Sequence, residues 1–201
     1  MTIRKLAVAA LVAGLGTAVR ADEVLDTIGE AVQHYKAGRK AEAVQGLEYA
    51  ANLVRQGKGQ AIAALLPRAL PGWTAQGDEA QTQVAGQAAF GGVIDVKRVY
   101  VGPAAAEGEE ARVEIEIMTD SPLTQAAIVT LNNPVMLASG GGKMERIGGE
   151  RAIVEYAQRS GSVTLIVDSR YLVKVSGSAA ALADLKAYAA AIDFKKLAAI
   201  K

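Results

Sequence analysis

The stretch Arg112 to Met118, RVEIEIM, decides the fold class of this chain. Charged and apolar residues alternate along it, which is the pattern of a half-buried β-strand. Its valine and two isoleucines point to one face, and its arginine and two glutamates point to the other. One face should therefore lie on a core and the other should carry charge towards water.

Further strands are predicted on both sides of this stretch. The predicted ranges are 93–101 before it and 151–157, 162–168 and 171–176 after it. Turn residues at 159–161 and 168–170 separate the last three, which predicts an antiparallel meander.

Two helices are expected among these strands. Ser121-Pro122 combines a capping residue with proline at the first helical position, and the helix should run to about Leu131. Ser178 is expected to cap a last helix, followed by a tail that docks through Phe194 and Leu197. The buried stripe of that last helix is expected at Leu182, Leu185, Ala189 and Ile192.

Residues 22–66 have a helical spacing of apolar residues instead of an alternating one, and they are predicted to form an antiparallel helical hairpin. Apolar residues recur there at three- and four-residue steps, on either side of Ala37-Gly38. Gly57 and Gly59 predict a bend or break in the second helix. The positions are Val24, Leu25, Ile28, Ala31, Val32 and Tyr35, then Ala43, Leu47, Ala50, Ala51, Val54, Ala61, Ile62 and Leu65.

Residues 67–92 are predicted to connect the hairpin to the rest of the chain. The stretch Leu70-Pro71-Gly72-Trp73 should be rigid and should seat the only tryptophan against the core. Residues 74–90, which are rich in Gln, Ala and Gly, receive no secondary-structure prediction. The predicted fold class is therefore α+β: an N-terminal antiparallel helical hairpin, then an antiparallel sheet in residues 93–201 with helices on one face.

The N-terminus has the layout of a secretory signal peptide. Arg4 and Lys5 precede an uncharged apolar run, and small residues lead to a cleavage position after Ala21, with the position after Ala18 as the alternative. The run is shorter than the roughly 20 residues that a membrane span needs. We therefore expect residues 1–21 to be removed and the protein to be periplasmic or secreted, without a membrane anchor.

Composition restricts the chemistry that the chain can support. The formal charge of +1 falls to −2 when residues 1–21 are removed, and the cations are dispersed among acids. This is not the footprint of a nucleic-acid binder. The chain has no cysteine and one histidine, His34, which we expect to be a partly buried structural residue. We predict no catalytic, cofactor-binding or metal-binding residues.

Two patterns are nevertheless compatible with chemistry. Glu114 and Glu116 share a strand face and, with Asp168, could serve an enzyme or hold a cation. The stretch 139–143, SGGGK, has the glycines and lysine of a phosphate loop but lacks its spacing and its Ser or Thr. A solvated strand face and a surface loop are the favoured interpretations.

Three resemblances add to these predictions. Ala31, Gly38, Ala43, Leu47 and Ala50 are spaced as in a tetratricopeptide repeat, which implies a protein-binding helical pair. The strand and helix order is similar to the PsbP/Mog1-type α+β fold, which implies binding and assembly roles. The chain also resembles a family of exported proteins of unassigned function from Gram-negative bacteria, through the stretches 70–73, 120–122, 147–152 and 188–197.

The favoured function is a non-enzymatic module that binds another periplasmic or envelope protein through the hairpin or a sheet edge. Lys36, Arg39 and Glu48 are the predicted partner-binding residues. The alternative is a carrier of a small hydrophobic ligand between the helices and the sheet. An enzyme using the carboxylates named above is the third hypothesis.

Overall fold

The computed structural model describes residues 18–85, 93–104, 108–119, 124, 128 and 142–201. The chain divides into two compact units that meet between Val54 and Arg55. We call the first the hairpin unit and the second, which extends to Lys201, the sheet unit. The predicted signal peptide falls mostly outside the described residues.

The hairpin unit consists of helix α1 (Ala18–Lys36) and most of helix α2 (Lys40–Ala63). The turn between them contains Gly38 at φ +78°, whose amide donates to the carbonyl of Tyr35 at 3.0 Å. The helices approach closely where Gly46 meets Ala31: a Cβ on Gly46 would lie 2.9 Å from the Cβ of Ala31. The predicted helical hairpin is thereby confirmed.

Helix α2 continues through Gly57 and Gly59 to Ala63, so of the predicted bend or break the break is wrong. Gly59 has a packing reason instead. A Cβ there would lie 2.5 Å from Cγ2 of Thr82 and 3.5 Å from Cγ2 of Ile94. Glycine therefore allows the end of α2 to lie directly on a strand of the sheet unit.

The sheet unit contains a seven-stranded antiparallel sheet in the order β1-β2-β3-β7-β6-β5-β4. Two meanders, β1 to β3 and β4 to β7, join where β3 pairs with β7. The strands are β1 (Thr74–Ala85), β2 (Val93–Ala104), β3 (Glu110–Thr119), β4 (Lys143–Ile147), β5 (Glu150–Ala157), β6 (Ser160–Val167) and β7 (Tyr171–Ser178).

Short turns connect the four strands of the second meander, with two residues in the first two turns and three in the turn between β6 and β7. Their central residues all have positive φ, which is the geometry of the turns that match the twist of a hairpin. The central pairs are Gly148-Gly149, Gln158-Arg159 and Asp168-Ser169. The predicted meander is confirmed and gains β4, while β1 occupies part of the segment that received no prediction.

Two short helices follow β7, α3 (Leu182–Ala190) and α4 (Phe194–Ala199). The predicted cap at Ser178 is wrong, because Ser178 ends β7 and Ala181 precedes the helix. Ala181 N donates to the side chain of Asp184 at 3.2 Å. The helix predicted at 121–131 lies mainly outside the described residues, although Thr124 and Ile128 are helical and buried.

One face of the sheet carries the core. Val96, Ile117, Val173, Leu165 and Ala152 follow one another across five strands and are all buried. Helix α3 packs on this inner face, with Leu185 directly over Gly177. The opposite, outer face carries the next residues of each strand.

Buried tyrosines attach the surrounding segments to this core. The hydroxyl of Tyr100 donates to the carbonyl of Pro67 at 2.6 Å, and that of Tyr171 donates to Ile200 at 2.7 Å. Trp73 packs edge-on against Tyr188 with 5.5 Å between ring centroids. The prediction that the connector seats Trp73 against the core is confirmed.

Candidate partner-binding surface

Most of the exposed large apolar side chains lie in the hairpin unit. Nine such side chains are exposed among the described residues, and Met144 is the only one of them outside the hairpin. Leu25 and Tyr35 are each 67% exposed, whereas the buried positions of the hairpin unit are Ala31, Ala43 and Ala50. The hairpin thus buries small residues and exposes large ones.

In α1, the buried and the exposed residues form two interleaved series. Val24, Thr27, Ala31 and His34 are spaced 3-4-3 and are buried or half-buried. A second series with the same spacing begins one residue later and is exposed throughout. Its members are Leu25, Ile28, Val32 and Tyr35.

Helix α2 repeats this arrangement. Its first series is buried or half-buried and consists of Ala43, Gly46, Ala50 and Leu53. Its second series is exposed except for a half-buried alanine, and consists of Val44, Leu47, Ala51 and Val54. The 3-4-3 spacing is that of a seam along which helices pack against each other.

Both exposed series point to the same side of the hairpin. One residue further along a helix is a rotation of about 100°. Seen along the hairpin, the rotation is clockwise in one helix and anticlockwise in the other, because α1 and α2 are antiparallel. Each exposed series therefore lies about 100° from the contact between the helices, and both lie on the same side of the hairpin. The opposite side of the hairpin carries residues that come one position before the buried series. Glu23 precedes Val24 and Tyr49 precedes Ala50, and the Tyr49 hydroxyl donates to Glu23 Oε1 at 2.9 Å there.

We call this surface the exposed hairpin face. It is defined by Leu25, Ile28, Val32, Tyr35, Val44, Leu47 and Val54. Soluble proteins seldom leave a contiguous apolar patch of this kind without a binding role.

The three predicted partner-binding residues are all exposed. Lys36 ends α1 and Glu48 lies in α2, and their helical positions place both at the rim of the exposed hairpin face. Arg39 lies in the turn, where its Nε donates to Nδ1 of His34 at 2.9 Å. His34 is half-buried, as predicted, and its exposed hydrogen bond with Arg39 links α1 to the turn.

The carboxylates of the enzyme hypothesis lie in the sheet unit. Glu114 and Glu116 share the outer face, as predicted, and Glu116 pairs with Lys97 Nζ at 2.8 Å. Asp168 lies in the β6–β7 turn and pairs with Arg170 at 2.7 Å. Each ion pair is one that a stable protein surface commonly contains.

Asp95, which lies beside Glu116 on the outer face, has a pKa that its surroundings change. Burial raises its pKa, an effect that the hydrogen bond from Lys97 opposes. Lys97 Nζ lies 3.0 Å from Asp95 Oδ2, and its own pKa is raised by its hydrogen bonds to Glu116 and then Asp95. The three groups form one charge network on the outer face.

A cleft of about 240 Å³ also lies on the sheet unit. Met144, Ile153 and Ile166 supply its apolar part, and Arg151 and Asp168 supply charge. Met144, Ile153 and Thr164 are consecutive partners on the outer face, so the cleft is on the side of the sheet opposite to α3. The predicted carrier site, between helices and sheet, is a different place.

Over the ranges that the structure describes, histidine, aspartate and glutamate form no group of three or more suited to a metal ion. The stretch 139–143 lies mostly outside those ranges. The described helices are too short or too polar to cross a bilayer.

The sequence contained the signal for the exposed hairpin face, although we interpreted it as one apolar stripe per helix. A single stripe should not contain two complete 3-4-3 series that are offset by one residue. The two series, of which the inner one holds Ala31, Ala43, Gly46 and Ala50, indicate two seams: a close one within the hairpin and a second for another surface.

The chain matches no protein-family model, no curated protein and no solved structure. The candidate surface therefore rests on the geometry of this chain, and the three resemblances remain predictions.

Proposed function

We propose that this protein is a non-enzymatic, exported module that binds a protein partner through the exposed hairpin face. The observation that carries the proposal is the burial pattern of the hairpin, in which the only fully buried side chains among its described residues are three alanines and seven large apolar side chains are exposed on one face. Export is supported by the signal-peptide pattern in residues 1–21.

Covering this surface would release a substantial free energy. Full burial of one leucine or valine side chain contributes about 1.5–3 kcal/mol, and the seven residues are between 38% and 67% exposed. A partner that covers most of them therefore gains several kcal/mol before the cost of association. No enzymatic step is needed to account for such a surface.

The shape of the surface indicates the kind of partner. Two neighbouring helices with apolar seams form a groove with a ridge on each side, which accepts the apolar face of another helix. Lys36 and Glu48 at the rim would add charge pairing that selects the orientation. A sheet edge, β1 or β4, is the second docking element that the sequence predicted.

The carrier hypothesis has less support. The described layer between α3 and the sheet is filled by large buried side chains, including Tyr100, Tyr188 and Leu185. The ring centroids of the two tyrosines are 4.4 Å apart. A ligand would have to displace this packing.

Site-specific photo-crosslinking in intact cells tests the proposal. A photoreactive amino acid at Val32 or Leu47 should give a discrete adduct with a protein chain. Gln33 and Gln45 are exposed one or two residues away on the same helices but point off the face, so they are matched controls. Equal adducts at all four positions, or none at the first two, would contradict the proposal.

A second experiment addresses the predicted rim residues. Charge reversal at Lys36 and Glu48 should reduce the yield of the adduct at Leu47, and reversal at Arg39 should do so less because Arg39 lies in the turn. An unchanged adduct in all three variants would remove these residues from the binding surface.

A further inference from the structure

We propose that the exposed hairpin face binds a second copy of this chain, forming an antiparallel four-helix bundle with the two turns at opposite ends. This inference rests on the proposed function, because it names the protein that occupies the same surface. It is carried by the matching lengths of the two seams and by the distribution of charge along the hairpin.

The two seams are matched in length, as a bundle requires. Each contains four positions over eleven residues, 25–35 in α1 and 44–54 in α2. The helical segments that carry the seams have 15 residues each, 22–36 in α1 and 40–54 in α2, so the face is about 22 Å long and, with two helices, about 20 Å wide. Two such faces enclose about 900 Å² in total, which is less than stable interfaces bury and is in the range of weak, transient ones. We therefore expect a dimer that dissociates on dilution.

Charge is divided between the two ends of the hairpin. The turn end carries the exposed cations Lys36, Arg39 and Lys40, accompanied by the acid Glu42. The opposite end of α1 carries Asp22, Glu23 and Asp26. Arg55, the cation of α2 nearest that end, already has an interaction within its own chain.

A two-fold axis can bring two such faces together in two ways. If the axis runs along the helices, both turns lie at one end, and six cations gather there. If the axis runs across the helices, each turn meets the acidic end of the other copy. Opposite charges then lie together at both ends, so electrostatics favour the second arrangement.

The second arrangement makes a specific set of contacts. Each helix packs antiparallel on its own copy, so Leu25 lies opposite Tyr35 of the second copy. Gly46 meets Ala31, so the same axis crosses α2 at residue 47, and Leu47 lies opposite Leu47 of the second copy. In the rejected arrangement Leu25 would instead lie opposite Val54.

Sedimentation velocity of the purified protein, over a range of concentration, tests the association. We expect a monomer–dimer equilibrium that Val32→Asp and Leu47→Asp weaken by at least about tenfold in Kd. The matched controls Gln33→Asp and Gln45→Asp should leave Kd unchanged. A monomer at every concentration, or equal effects of controls and face variants, would overturn the inference.

The absence of cysteine from the chain allows a sharper test of the arrangement that does not depend on disruptive variants. Leu25→Cys protein mixed with Tyr35→Cys protein should form a mixed crosslinked dimer with a short thiol-reactive reagent. Leu25→Cys mixed with Val54→Cys should not, because these positions are about 15 Å or more apart along the helices. The reverse result would overturn the antiparallel arrangement.

Salt provides an independent readout of the charge argument. Raising NaCl from about 50 mM to about 500 mM should increase Kd several-fold, because screening removes the attraction between the ends. A Kd that falls with salt would contradict the arrangement.

Failure here and failure of the proposed function are distinguishable. A monomeric protein that still forms a photo-adduct with a different protein at Leu47 refutes the second copy and leaves the binding function in place. A monomer without any adduct refutes both.

Discussion

The hairpin unit and the sheet unit use the same apolar residue types in opposite places. In the sheet unit, isoleucine, leucine and valine fill the inner face, and alanine is a minor part of the core. In the hairpin unit, the fully buried positions between the helices are alanines, and most of the larger apolar residues face outward. A seven-stranded sheet with two helices can bury its own large side chains, but two helices can bury only one stripe each.

This difference separates residues that stabilise the fold from residues that are available for binding. The alanines and Gly46 bring α1 and α2 close together, which leaves little apolar area inside the hairpin. The large side chains of the exposed hairpin face are between 38% and 67% exposed, so a considerable part of their free energy of burial is not used in the fold. The sheet unit has no comparable reserve among its described residues.

The largest expected effect is a difference between two leucine substitutions. Leu165→Ala removes a fully buried side chain of the sheet core and should lower the free energy of unfolding by about 2–5 kcal/mol. Leu47→Ala, at a position that is 51% exposed, should cost less than about 1 kcal/mol in the dilute monomer. Urea unfolding followed by circular dichroism and by Trp73 fluorescence measures both. Similar losses in the free energy of unfolding would mean that Leu47 stabilises the hairpin unit as Leu165 stabilises the sheet unit.

The next effect separates two glycines of α2. Gly59→Ala places a Cβ against Thr82 and Ile94 and should destabilise the protein by about 1–3 kcal/mol. Gly57→Ala meets nothing within 4 Å and should stabilise it by about 0.5–1 kcal/mol, because alanine is the better helix former. Urea midpoints should move in opposite directions. Stabilisation by both would show that α2 does not lie on the sheet at Gly59.

The sequence was sufficient to predict most of the sheet unit, for identifiable reasons. β3 alternates because one face is buried and the other is solvated, and β5, β6 and β7 are flanked by turn residues. β4 was not predicted, although Gly148-Gly149 is a strong hairpin turn signal. The predicted cap at Ser178 failed because β7 continues to that residue.

β1 was not predictable from its residues. It is an edge strand that pairs only with β2 among the described strands, and its register shifts between Gln76 and Gln81. Such a strand has little need of alternating apolar residues, so the pattern that reveals β3 is missing. The exposed hairpin face could have been predicted from residue size, but periodicity alone shows only that a helix is amphipathic.

A smaller effect compares two tyrosines, one from each unit. Tyr100→Phe leaves the carbonyl of Pro67 without its hydrogen bond and should cost about 1–2 kcal/mol. Tyr49→Phe removes an exposed hydrogen bond to Glu23 and should have no measurable effect on unfolding. Comparable losses would contradict the assignment of Tyr100 to the core.

The same tyrosine predicts a pH dependence. Burial raises the pKa of Tyr100 to about 12, whereas an unfolded tyrosine titrates near pH 10. Because the folded pKa is the higher one, this contribution to stability is complete below about pH 10 and is lost as the pH rises through about 12. Urea titrations between about pH 10 and 12 should show a decline in the free energy of unfolding that is smaller in Tyr100→Phe. An identical decline in the variant would assign the pH dependence to other groups, including Tyr188, whose pKa burial also raises.

The smallest expected effect concerns charge, where the two units differ again. In the sheet unit, cations pair within the chain: Lys186 Nζ lies 2.6 Å from Glu145 Oε2, with both side chains about one-third exposed. Lys186→Gln should therefore cost at most about 0.5–1 kcal/mol of stability and leave self-association unchanged.

Reversal of Lys36, Arg39 and Lys40 to Glu should do the opposite, leaving stability nearly unchanged while weakening the dimer. Equilibrium unfolding and sedimentation of the same two variants measure both quantities, and a loss of stability in the triple variant would show that these cations support the hairpin itself.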